Sequence, residues 1–389
     1  MSPAVSPVPR TRASREAPPA VAAMVRLIKE TWAEVEPDVA ELSATFYDLL
    51  FRISPDIREM FPINIEAHRG KLVRGIAHVA QMVDRPDDLV PYLNQLGRDY
   101  RKHHVRSRHY EAIGTAMLGA LRHHLGSRWT EQVEHAWAEA YTVVARSMQE
   151  AADADPSPAS LTGTVIDHRR LTWDLALVRV QPETPINYRA GQYMSVEVPQ
   201  RPRLWRYLSP ANAPRKDGVI EFHVHAVEGG WVSRAIVSHT QLGDVWRFGP
   251  PLGRLSVDRD SGRDVLMIAG GTGLAPLRAL VDELSQWGKN PNVHLFYGGR
   301  TAEDLYDLDD LRALAATNPW LGIVPTVEDG SLPGAERGTL AEAVTRHGAW
   351  PGHDVLVSGS PQMIKATISR MLVAGTTLDQ IAYDPFTLN

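Results

Sequence analysis

The sequence predicts three domains of different class in a row: all-helical, then antiparallel β, then open parallel α/β. Three observations carry this. From Val25 to about Ala152 apolar residues recur at helical spacing and strand signals are absent. From Leu161 the period changes to two, with Gly and Pro turns between the runs. From about Arg263 short apolar runs alternate with helical patterns, the pattern of a parallel sheet. A chain of 389 residues is long enough for two or three separate cores. The expected boundaries are a disordered tail over 1–22, a helical domain over 23–152, a linker over 153–160, a β-barrel over 161–260 and an α/β domain over 261–389.

Composition excludes several kinds of function. Charged residues make up 22% and hydrophobic residues 43%, as in ordinary soluble globular chains. The formal net charge of −5 provides no basic footprint for nucleic acid. With no cysteine, disulfides, thiolate metal ligands and cysteine-held iron–sulfur clusters are excluded. No apolar run approaches the ~18 residues of a membrane span, and no signal-peptide core stands near the start. The expectation is a cytoplasmic monomer or small homo-oligomer with small-molecule partners.

Each segment has its own justification. Residues 1–22, rich in Ser, Pro and Ala with Arg10, Arg12 and Arg15, hold too little apolar surface to order themselves; a targeting or docking role is the alternative. In the helical segment Val25, Ile28, Trp32 and Val35 share a face, as do Leu42, Phe46, Leu49 and Leu50, then Leu72, Ile76 and Val79, and later Trp137, Tyr141, Val144 and Met148. Pro55, Pro62, Pro86 and Pro91 are expected between helices. The small, acidic, proline-broken stretch 151–160 reads as a linker. Strands are expected at 164–166, 175–180, 193–198 and 220–225 in the β domain, and at 265–269, 293–297, 322–326 and 355–358 in the α/β domain.

The stretch Val265–Pro276 is the most informative. An apolar run stops at Gly270 and Gly271, passes Thr272 and Gly273, and reopens as a helical pattern at Leu274. Glycine allows backbone N–H groups close to an anion, and the next helix adds its free N–H groups and positive dipole end. A diphosphate suits such a turn, although close strand–helix packing alone produces the same spacing.

Order along the chain gives the turn its context. Lying behind a β-rich segment and ending in Pro276, it resembles the nicotinamide half of the ferredoxin–NADP reductase family. Arg206–Tyr207–Leu208–Ser209, followed by Pro210–Ala211–Asn212–Ala213–Pro214, resembles that family's flavin motif Arg-x-Tyr-Ser. The resemblance implies that Arg206 meets the FAD pyrophosphate and Ser209 the flavin ring. Leu208 stands at the aromatic position and Tyr207 one residue early, so either Tyr207 swings in or the flavin rests on Leu208. Gly191–Gln192–Tyr193 resembles the strand leading to the flavin, and Gly229–Gly230–Trp231–Val232–Ser233 the second phosphate loop, with Ser233 opening a helix. On the nicotinamide side the resemblance implies phosphate contacts from Gly271, Thr272, Gly273, Leu274 and Pro276. It places Ser358 and Gly359, in the loop Ser358–Pro361, beside the nicotinamide, with Ser358 where the family has cysteine. Arg300 occupies the place where the ribose is read; it suits a 2′-phosphate, while Glu303 and Asp304 favour NADH. Phe386, in Tyr383–Asp384–Pro385–Phe386, would cover the flavin or pin the chain terminus.

The helical segment resembles a globin, and a globin followed by this reductase is the layout of the flavohaemoglobins. Phe46–Tyr47–Asp48, Phe51, Pro55 and Phe61–Pro62 carry that likeness. It implies that Tyr47 donates to iron-bound O2 and Phe61 wedges the haem; His68–Arg69–Gly70–Lys71–Leu72 resembles the distal Gln-Arg-x-x-Leu, which puts His68 at the glutamine's place, or Lys71 there without a shortened preceding loop, and Leu72 in the pocket lining. Counting back ten residues from Tyr110 puts Tyr100 at the family's proximal histidine. Tyrosinate ligates ferric haem in some proteins. His103 and His104 remain alternatives, His104 by a one-turn slip along the helix. The glutamate that supports the proximal side has no counterpart, since counting from Trp137 and Tyr141 reaches Ala152. The layout implies electron flow from NADH or NADPH to FAD to haem b, with O2 and nitric oxide giving nitrate. The alternatives are an FAD-dependent oxidoreductase with a haem-free globin domain, and a ligand- or redox-sensing globin.

Overall fold

A computed structural model describes residues 19–62, 65–227 and 229–384, without the side chains of 66–68, 71 and 72. The chain forms two compact units. One comprises Met1–Arg58, Glu66–Leu93 and Arg106–Ser147; the other comprises Glu59–Ile65, Asn94–Val105 and Met148–Asn389.

The first unit is helical. It is built from α1 (Pro19–Val35), α2 (Val39–Ile53), α3 (Glu66–Met82), the start of α4 (Pro86–Tyr100), α5 (Ser107–Leu125) and most of α6 (Glu131–Ala154). The apolar stripes read from the sequence turn inward: Ile28, Trp32, Leu42, Phe46, Leu50, Leu121 and Trp137 are buried. Trp137 satisfies its indole N–H on Thr31 Oγ1 at 3.0 Å, which lets the ring sit fully inside. Two expectations change here. Residues 19–22, assigned to the tail, open α1; the remainder of that tail lies outside the described residues. Pro91 lies within α4 rather than between helices. It sits early in the helix, where one missing N–H costs a single bond near the end rather than a break in the middle.

The second unit holds two sheets. An antiparallel sheet of six strands runs in the order β4-β3-β6-β1-β2-β5. Its members are β1 (Leu161–Arg170), β2 (Leu175–Pro182), β3 (Met194–Glu197), β4 (Trp205–Leu208), β5 (Ile220–His225) and β6 (Val245–Phe248). A bridge between Pro210 and Phe222 draws its two edges together into a nearly closed barrel around Phe222, Trp246 and Phe248. Helix α7 (Trp231–His239) packs Val232, Ile236 and Val237 into this core. Strands β4 and β6, only four residues each, were not expected from the sequence.

The other sheet is parallel, with strand order β10-β9-β8-β7-β11-β12. It contains β7 (Asp264–Gly270), β8 (Val293–Gly299), β9 (Leu321–Val327), β10 (Glu336–Arg337), β11 (His353–Ser358) and β12 (Ile381–Ala382). Helices α8 (Leu274–Ser285), α9 (Leu308–Thr317), α10 (Leu340–Arg346) and α11 (Pro361–Val373) alternate with the strands. The chain leaves β7 toward β8 and β9, then returns to place β11 on the opposite side of β7. This reversal opens a crevice at the carboxyl ends of β7 and β11, where doubly wound sheets bind ligands.

Candidate functional site

At that switch point the two glycine loops meet. Gly271 has φ +53, and a short 3-10 turn over Gly271–Gly273 leads directly into α8. A Cβ on Gly273 would stand 2.5 Å from Gly359 Cα and 2.5 Å from Ser358 O. The approach is backbone to backbone, so only glycine permits it. The structure therefore sets Gly273, between the expected phosphate turn and α8, directly against Ser358 and Gly359; Pro276, in the first turn of α8, is buried. Arg300 follows β8, and both neighbouring acids are tied to Thr301. Asp304 accepts from the Thr301 N–H at 2.8 Å, and a hydrogen bond with the Thr301 side chain lowers the Glu303 pKa.

On the barrel, β4 decides what faces where. Its pairing with β3 is regular, with Arg206 opposite Val196 and Tyr207 opposite Ser195. Arg206 and Leu208 therefore share one face and Tyr207 the other. Arg206 is half-buried, its Nε has no hydrogen-bond partner, and burial lowers its pKa. A half-buried guanidinium with an unsatisfied Nε gains from an anion beside it. The residues thus fit the pyrophosphate of FAD. Helix α7 offers a second anion-binding feature: its first-turn N–H groups have no partners within the helix. Gly229 has φ +72, and a Cβ on Gly230 would stand 2.5 Å from Ser233 Oγ. Ser233 does not open the helix, contrary to the expectation from the sequence. Trp231 does, and Ser233 is buried with its Oγ donating to Gly230 O at 3.2 Å.

Tyr207 does not swing toward Arg206. Its hydroxyl donates to Asp99 Oδ2 at 2.7 Å, and its ring stands edge-on to Tyr193 at 5.2 Å. Of the two arrangements open in the sequence, the fold keeps Leu208 on the Arg206 face. Two other assigned residues are occupied with local structure. Asn212 bonds Ala213 O, Val219 O and Glu221 N, stapling its loop to β5, and Gln192 Oε1 accepts from the Arg189 N–H at 2.9 Å. Tyr193 is buried, and its hydroxyl accepts from Gln95.

Sequence reasoning missed Asp99 and Lys102, on the last turn of α4 and just beyond. Lys102 Nζ lies 2.6 Å from Asp99 Oδ2, with both side chains almost wholly buried. Ser195 Oγ donates to Asp99 Oδ1 at 2.8 Å, and Lys102 stands over the Trp205 ring at 5.0 Å. Burial pushes the Asp99 carboxyl up, but Lys102, Tyr207 and Ser195 more than offset that and hold it below the ordinary value. Burial lowers the Lys102 ammonium against the opposing pull of Asp99. The signal was an acid and a base three apart, indistinguishable in sequence from a surface pair.

The globin-side residues are placed as follows. Tyr47 is buried, its ring 5.0 Å from Phe46 and 5.8 Å from Phe51, and burial raises its pKa so that it stays a hydroxyl donor. His68 and Leu72 lie on α3, but their side chains are outside the described residues, as is Phe386. Phe61 O accepts from Arg203. Tyr100 is the last residue of α4, 38% exposed, with its ring against His103. His103 packs on toward Trp205. His104 does not continue the helix, contrary to the one-turn slip: it sits in the left-handed region at φ 54, closing a 3-10 turn on Arg101 O. Among the described residues no group of three or more His, Cys, Asp or Glu side chains forms a metal site.

Comparison with known proteins agrees with this arrangement. The globin family model matches residues 44–148, the oxidoreductase FAD-binding domain 162–257 and the oxidoreductase NAD-binding domain 267–368. A ferredoxin–NAD(P)(+) reductase component of naphthalene 1,2-dioxygenase/salicylate 5-hydroxylase systems from Ralstonia is 32% identical over 209 residues, 52% of this chain and 62% of its own. The chain thus spans less than two thirds of that relative. A flavohemoprotein from Bordetella parapertussis is 26% identical over 316 residues, 75% of this chain and 78% of its own. The crystal structure of a flavohemoglobin from Malassezia yamatoensis, with bound FAD and heme, shares the fold at TM-score 0.77 and 16% identity. It covers 94% of this chain and 97% of that one. By class, the chain therefore carries an oxidoreductase FAD-binding domain followed by an oxidoreductase NAD-binding domain. A globin domain precedes them, and the whole is a globin–reductase fusion with the flavohaemoglobin architecture. No helix among the described residues is long and apolar enough to cross a membrane.

Proposed function

We propose that the chain oxidises NAD(P)H through FAD and passes the electrons to haem in its globin domain, where O2 and nitric oxide give nitrate. The observation that carries the reductase half is Arg206, a half-buried guanidinium whose Nε has no protein partner, on the strand whose sequence resembles a flavin motif. FAD, when bound, accepts a hydride and releases electrons singly. Arg206 and the first turn of α7 would hold its phosphates. The Gly271–Gly273 turn and α8 would hold the nicotinamide diphosphate, with the Ser358–Gly359 loop lying against that turn. Haem, when bound, supplies the O2-binding iron. Tyr47, kept protonated by burial, donates a hydrogen bond on the distal side. Tyr100 would be the residue to hold the iron, since His104 has left the helix.

An absorption spectrum of the haem-supplied protein, before and after anaerobic NADH, tests this beside Tyr100→Phe and His104→Ala. A Soret band that shifts on reduction and is lost in Tyr100→Phe alone supports the reading. A flavin that bleaches with no Soret band refutes the haem half. A second reading, an NAD(P)H oxidoreductase serving another acceptor, then stands. It is favoured by the replacement of the proximal histidine by Tyr100 and by the likeness to an oxygenase reductase component.

A further inference from the structure

We propose that Trp231, with Arg201 behind its ring, is the platform for the adenine of FAD and makes the site select the dinucleotide flavin over the mononucleotide. The inference rests on the reading of Arg206 and α7 as the phosphate site. Trp231 is 56% exposed, while the next two residues, Val232 and Ser233, are buried. Val232 thus anchors the helix start, and the indole adds little to the core. The Arg201 guanidinium lies over the ring at 5.9 Å. Arg201 is itself held by the β3–β4 turn, donating to Gln200 O at 2.9 Å, and its buried Nε has no hydrogen-bond partner. A cation on one face of an indole leaves the other face free to stack.

Position gives the platform its occupant. Trp231 is the first residue of α7, whose first-turn N–H groups have no side-chain cap and suit an anion, and Gly229 and Gly230 precede it without side chains. FMN ends at one phosphate. FAD continues through a second phosphate to adenosine, so only FAD has a group to place on a ring beside the second anion site. Adenine presents a π-face, and stacking of this kind is strong enough to discriminate.

The test is calorimetric titration of the full-length apoprotein with FAD and with FMN, for wild type, Trp231→Ala, Trp231→Phe and Arg206→Leu, with thermal unfolding as a control for folding. Trp231→Ala should weaken FAD roughly tenfold and leave FMN unchanged, whereas Trp231→Phe should recover most of the FAD affinity. Equal weakening of both flavins, or no change in either, overturns the platform. Arg206→Leu reports separately on the parent reading: undiminished FAD affinity in that variant means that the phosphate site itself was wrongly assigned.

Discussion

Lys102→Met isolates the buried ion pair that ties the last turn of α4 to the flavin strand. In the native protein the Asp99 carboxylate has three partners: Lys102 at 2.6 Å, Tyr207 at 2.7 Å and Ser195 at 2.8 Å. Methionine keeps most of the volume over Trp205 but leaves a carboxylate in the interior with no countercharge. Removing one partner of a buried pair costs about 3–5 kcal/mol, far more than the net worth of the pair. At roughly 2–4 °C per kcal/mol for a unit of this size, the melting temperature should fall by about 6–20 °C. The double variant Lys102→Met/Asp99→Asn should recover more than half of that loss, because no charge is then stranded and the amide oxygen still accepts one hydrogen bond. Without Lys102, burial raises the folded-state pKa of Asp99. An acid whose folded pKa is raised loses stability as pH rises from its unfolded value, so the deficit should be smaller at pH 5 than at pH 8. Unfolding followed by release of flavin fluorescence reads this unit directly. A single variant within about 1 kcal/mol of wild type, or a double variant as unstable as both singles added, refutes the reasoning.

Two further outcomes follow from the same structure. Burial raises Asp384 from 3.8 to about 7, so the folded state keeps a proton that the unfolded chain releases. Stability should therefore fall as pH rises from about 4 to about 7, by up to about 4 kcal/mol. Asp384→Asn should remove that part of the pH profile, and identical profiles in the two proteins refute the assignment. Gly273→Ala drives a methyl group into the backbone of Ser358 and Gly359. The KM for NAD(P)H should rise at least tenfold with flavin content unchanged; a KM within twofold of wild type means that the two loops do not form one site.

How much was legible depended on whether the signal was local. Helix faces and the longer strands declare themselves by period, because burying one side of an element forces the repeat. Strands β4 and β6, four residues each like β3, carry no alternating run that singles them out, and their identity rests on pairing with β3 and β1. The glycines at 271, 273 and 359 were legible as a turn and a loop, but their closeness comes from β7 and β11 lying side by side, a property of strand order. Asp99 was invisible for the same reason. Its partners Ser195 and Tyr207 are 96 and 108 residues away.

The flavin motif shows how structure resolves what spacing left open. In sequence, Leu208 stands at the aromatic position and Tyr207 one residue early, a small adjustment away from it. A strand permits no such adjustment without a slip of register, and a slip by one residue would turn Arg206 to the opposite face together with its neighbour. The pairing of β4 with β3 holds that register over all four residues, and the Tyr207 hydroxyl is committed to Asp99. Asp99 in turn precedes Tyr100 in the chain. Helix α4 begins in the helical unit, and its last turn belongs to the reductase unit. Tyr100, the residue proposed to hold the haem iron, and Asp99, the anchor of β4, are therefore neighbours on one turn. Loosening the Asp99 anchor should consequently disturb both the flavin strand and whatever Tyr100 binds, and Asp99→Asn should alter the flavin spectrum even in protein that carries no haem.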